Sequence, residues 1–155
     1  MSFRFADRAD ARTIPIVGIE KEVFAAWLKG QPAAMRAWVE NSGFIAKTGQ
    51  TSLISDGKGK LVHVLVGVEK HDGLWAYAGL PETLPAGAYR IDARFEPGAA
   101  TTVALGWALA CYRFDRYKAD RGKQTPFPAL VWPSGADRGY VERTARATAL
   151  VRDLV

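Results

Sequence analysis

Few side chains in this sequence have the chemistry to bind a metal, move a proton or attack a carbonyl. His63 and His71 lie eight residues apart, and neither carries a carboxylate pair at metal-ligand spacing. With Cys111 they would meet only through tertiary folding, so no metal site is assigned. Glu20 and Glu22 open a helix-like run, where negative charge suits the positive end of the helix dipole, and capping electrostatics accounts for them better than acid/base catalysis. Ser134 lacks a Gly-x-Ser-x-Gly elbow and reads as part of a helix start. The stretch Gly57-Lys58-Gly59-Lys60 has the glycines and lysines of a phosphate loop. It lacks the Walker spacing, and no helix follows to aim amides at an anion. The sequence therefore offers no catalytic, cofactor-binding or metal-binding residue.

The elements that would position such groups are those of one ordinary domain. A chain of 155 residues with 48% hydrophobic and 24% charged residues is long enough to bury a core. Its N-terminus, Met1 to Arg8, has charges where a secretory signal needs an unbroken apolar run, and the single cysteine Cys111 fits a reducing compartment. The expected location is the cytoplasm. The most apolar window, Ala99 to Cys111, is too short for a bilayer crossing of ~20 residues. The formal charge of +5 is concentrated in Arg113, Arg116, Lys118, Arg121 and Lys123. Such a cluster reads as a basic patch or subunit contact, and no nucleic-acid reading motif accompanies it.

Along the chain, Ile14 to Ile19 predicts a strand, with Pro15 placing it at a sheet margin. Two helices follow, over Glu20 to Lys29 and from Pro32 to the break at Asn41-Ser42-Gly43. Thr51 to Ile54 and Leu61 to Val68 flank a turn-rich tip and predict a hairpin. A short helix is expected over Gly73 to Ala78, then a strand over Ala88 to Ala93. Ala99 to Phe114 is apolar nearly all round, as a helix packed on several sides would be. Ala129 to Trp132 gives a last strand, and Ser134-x-x-Asp137 starts a final helix with an apolar stripe of Ala147, Leu150, Val151 and Leu154. This alternation predicts a three-layer α/β fold, a mixed β-sheet flanked by helices. The five tryptophans read as packing anchors, some of them exposed where a partner should sit.

Gly106-Trp107-Ala108-Leu109, then Tyr112-Arg113-Phe114-Asp115 and Tyr117-Lys118, then Leu130-Val131 and the helix to Val155, carry a family likeness. In order and spacing, residues 85–155 resemble the N-terminal domain of the M17 leucyl (cytosol) aminopeptidases. The earlier half, with Ala25-Ala26-Trp27-Leu28 and Ala37-Trp38-Val39, resembles that family more loosely.

The resemblance implies a macro-domain-like fold attached to a peptidase that removes residues from peptide N-termini with two divalent metal ions, zinc or manganese, and assembles as a hexamer. The metal-binding lysine, aspartates and glutamate of that family have no counterpart in this sequence, so no catalytic role is carried over. The division expected is an α/β domain over 1–135 and, over 136–155, a helix leading toward a catalytic domain absent from this chain. Its function would then be assembly and active-site access, with Leu150, Val151 and Leu154 as interface residues beside the basic cluster. The alternative is a freestanding macro-like module that binds a nucleotide or nucleic acid.

Overall fold

A computed structural model describes residues 3–113 and 125–154. Twelve segments of regular structure follow in order: β1 (Arg4–Ala6), β2 (Ile14–Glu20), a 3₁₀ turn (Lys21–Val23), α1 (Phe24–Lys29), α2 (Ala33–Ser42), β3 (Thr51–Ser55), β4 (Leu61–Val68), α3 (Leu80–Thr83), β5 (Ala88–Ile91), α4 (Pro97–Ala110), β6 (Ala129–Val131) and α5 (Arg138–Leu154). The strands form one sheet in the order β1-β6-β5-β2-β4-β3. The β3–β4 hairpin is antiparallel and every other neighbouring pair is parallel.

Both faces of this sheet are covered, as a largely parallel sheet requires. Ile16, Val64, Val66, Val68, Tyr89 and Leu130 pack on one face with Val103 and Trp107 of α4 and with Cys111 just after it. Val17, Ile19, Val62 and Leu65 pack on the other with residues of α1 and α2. Helix α4 is apolar all round because it has two partners: beyond the sheet side, Ala104 and Ala108 meet Val141 and Ala145 of α5. The mixed sheet between helical layers is the α/β architecture expected from the alternation of elements.

Three local expectations are corrected and one strand is added. Strand β2 is central, between β5 and β4, although it contains Pro15. Its β5 side begins at Ile14, whereas pairing with β4 begins only at Ile16. The missing N–H of Pro15 therefore falls at a strand start, where no ladder bond is lost. Residues 73–79 form successive turns, and the short helix comes after them as α3, with Pro81 in its first turn. The cap of α5 is Asp137, whose Oδ1 accepts the Tyr140 N–H at 2.9 Å, and Ser134 takes no part in it. Strand β1 is an addition: its three residues give no readable period, and pairing with β6 holds them in the sheet.

The turn between α2 and β3 is organised by one side chain. Gln50 Oε1 accepts the N–H groups of Ile45 and Lys47, and its Nε2 donates to the Gly43 carbonyl. These bonds hold the buried Ala46 at φ 54°, a conformation that L residues other than Gly, Asn and Asp seldom adopt.

Candidate functional site

The candidate ligands of the sequence are brought to separate places. Cys111 is buried in the core, 1% exposed, and burial pushes its thiol up to about 12. His63 is half-buried in β4, opposite Ile54 of β3. His71 lies in an exposed turn after β4 and meets Glu20 at the end of β2, Nδ1 to Oε1 at 3.0 Å, while its backbone N–H donates to the same oxygen at 3.1 Å. The ring also stacks on Phe95, with centroids 6.0 Å apart. The two hydrogen bonds from His71 hold the Glu20 carboxyl below the usual range. Among the described residues no group of three or more His, Cys, Asp or Glu side chains could hold a metal ion. The residues present do not fit a two-metal centre, and no catalytic step is derived from them.

Glu20 therefore departs from its expected role. It ends β2 and precedes the 3₁₀ turn, but its side chain makes no capping bond and reaches His71, 51 residues further on. A contact of that separation has no local sequence signature. At the hairpin tip, Asp56 Oδ1 accepts the amides of Lys58 and Lys60 at 2.8 and 2.9 Å. The donors that a phosphate would need are taken by a carboxylate of the chain itself.

Of the basic cluster, Arg113 donates to the Thr125 carbonyl at 2.8 Å and its guanidinium lies 3.7 Å from the Phe127 ring centroid. It is a packing residue at the core margin. Arg116, Lys118, Arg121 and Lys123 lie outside the described residues. The stripe on α5 is fully presented to solvent: Leu150 is 63%, Val151 60% and Leu154 74% exposed, because the inward face is made by Val141, Ala145 and Ala149. The end of this helix is nevertheless fixed, since Tyr112 donates to Asp153 at 2.7 Å and Arg152 to the Leu109 carbonyl at 3.3 Å.

Trp75 is the most exposed of the tryptophans at 60%, and it lines a cleft of about 480 Å³. The cleft lies where β3 and β4 face the turns of residues 73–79. The sequence reading passed over it, because its walls come from turns that were expected to be a helix.

The architecture defines a three-layer α/β domain. A family model of the M17 aminopeptidase N-terminal domain matches residues 14–133, and the chain belongs to that family. Among solved structures, the chain is similar to a cytosol aminopeptidase from Coxiella burnetii, at 29% identity and a TM-score of 0.82, covering 97% of this chain and 32% of that one. It is also similar to the bottromycin maturation enzyme BotP, at 25% identity and a TM-score of 0.63, covering 92% of this chain and 32% of that one. A tomato leucine aminopeptidase shares the fold, at 14% identity and a TM-score of 0.55, covering 94% of this chain and 35% of that one. No curated protein sequence matches. The chain thus spans about a third of the length of these solved relatives. No described helix is long and apolar enough to cross a membrane.

Proposed function

We propose that this chain works as the non-catalytic N-terminal domain of a cytoplasmic, metal-dependent leucyl aminopeptidase, serving assembly and access to an active site built elsewhere. The observation that carries the reading is the exposed apolar stripe of Leu150, Val151 and Leu154 on a helix whose inner face is already satisfied by α4. Apolar side chains clustered on one helix face outside a core mark a contact surface. Supporting it are the family match and the third-of-length coverage of the solved relatives. The printed name of the relative from Coxiella burnetii is cytosol aminopeptidase, and BotP has been solved in complex with Mn. On this reading two divalent metal ions, zinc or manganese, and the peptide substrate are held by a catalytic domain, and the whole assembles as a hexamer. The 136–155 segment is the connection toward that domain. The nucleotide-module alternative gains nothing from the described residues, since Arg113 and the hairpin amides are engaged internally.

The test is an assay of residues 1–155 with leucine amide and added Mn²⁺ or Zn²⁺. No metal-dependent hydrolysis is expected, and turnover by these residues overturns the reading. In an assembled enzyme carrying this domain, Leu150→Glu with Leu154→Glu is expected to lower the oligomer mass seen by light scattering. An unchanged mass removes the assembly role.

A further inference from the structure

The family reading makes no use of the 480 Å³ cleft. Its volume falls in the range of sites that enclose small molecules. One wall is the sheet, with Val66 and Val68 of β4 and Thr51 of β3, and the facing wall includes Leu74, Trp75 and Leu80. It lies beside the carboxyl end of β4, on the side of the edge strand β3.

The charges at the cleft are specific. Glu69 and Lys70 follow β4 directly, both line the cleft, and both are exposed. Among the described residues neither forms a close ion pair, and Lys70 acts on the Glu20 carboxyl only at longer range. A purely anionic ligand would set its charge near Glu69, and a purely cationic one near Lys70. A ligand carrying both charges satisfies both, and its apolar part replaces water against Leu74 and the Trp75 ring.

We propose that this cleft binds a small zwitterion with an apolar body, an apolar α-amino acid or dipeptide. Its carboxylate pairs with Lys70 and its ammonium with Glu69. The site is separate from the proposed aminopeptidase role, and binding is measured without any turnover, so either idea can fail alone.

A blocking variant is available. Gly79 lines the cleft at an ordinary helical φ of −75°, and a Cβ built there meets nothing within 4 Å. Leucine at this position is expected to fill the space without straining the backbone.

The experiment is calorimetric titration of the chain with L-leucine, with the dipeptide Leu-Leu, and with 4-methylpentanoate and isoamylamine, which each keep one charge. Saturable one-to-one binding of at least one zwitterion is expected, and the tighter of the two identifies the source. Each single-charge analogue should bind at least about tenfold more weakly, and Lys70→Ala or Glu69→Gln should weaken the zwitterion by a similar factor. Gly79→Leu should abolish binding with an unchanged circular dichroism spectrum. If that variant does not fold, the two exposed charge substitutions decide. No saturation of either zwitterion by about 10 mM overturns the proposal, as does an analogue or a variant that binds as tightly as its parent.

Discussion

Replacing Gly106 by alanine should lower the melting temperature, although the position lies in mid-helix, where alanine is ordinarily better by about 1 kcal/mol. Gly106 faces the turn before α3, and a Cβ built there would lie 1.7 Å from the Leu74 carbonyl oxygen and 2.8 Å from its carbon. An ordinary carbon-to-oxygen approach is about 3.3 Å, so the obstacle must retreat by roughly 1.5 Å. It is backbone, and it carries a wall of the cleft. Overpacking of this kind costs about 1–3 kcal/mol, and a backbone obstacle belongs at the upper end. Set against the helix gain, the net loss is about 2 kcal/mol. For a chain of this size that is a fall of about 4–8 °C. Gly98, in the first turn of α4, supplies the control because a Cβ there meets nothing within 4 Å. Gly98→Ala should be neutral or raise the midpoint by up to about 2–4 °C. Thermal unfolding followed by circular dichroism reads both. An unchanged or raised midpoint in Gly106→Ala would refute the close approach as the reason for glycine in the Gly106-Trp107 pair.

Gln50→Ala removes the three hydrogen bonds that shape residues 43–50 and should cost about 1–2 kcal/mol, read from the urea midpoint. Cys111, whose thiol burial pushes up to about 12, should react with a thiol reagent at pH 8 at least about 100-fold more slowly in the folded chain than in urea; equal rates would contradict its burial. The Glu20 carboxyl titrates lower folded than unfolded, so its contribution is full above the unfolded pKa of about 4.3 and is lost as pH falls through the folded value. Glu20→Gln should therefore narrow the stability gap between neutral pH and pH 3. The contact is partly exposed, so the change should be about 0.2–1 kcal/mol, and an identical acid profile for both proteins would remove the interaction. Leu150→Ser with Leu154→Ser should leave the stability of this chain within about 0.5 kcal/mol, because neither side chain is covered within the domain.

How far the fold could be read from the sequence follows from where each signal is stored. Local signals carried through: Gly43 ends α2 in the left-handed conformation at φ 69°, and the hairpin closes on Asp56 and Gly59. The all-round apolar character of α4 announced two packed sides, which the sheet and α5 supply. What stayed hidden is stored across the chain. A proline argues for a margin only if the ladder needs its N–H, and the stagger between β4 and β5 decides that from residues far from Pro15. The same holds for α5, where a stripe of leucine and valine can mark either a core face or, as expected for Leu150, Val151 and Leu154, a contact surface. The inward face is made by Val141, Ala145 and Ala149, of which Val141 and Ala145 meet Ala104 and Ala108, since small side chains let the two helices approach closely. That choice leaves the larger residues of α5 for a surface outside the domain. This division of the helix ties the packing of α4 to the proposed contact: enlarging Ala145 to leucine should force α5 away from α4 and disturb stability and assembly together, whereas changes at Leu150 should disturb assembly alone.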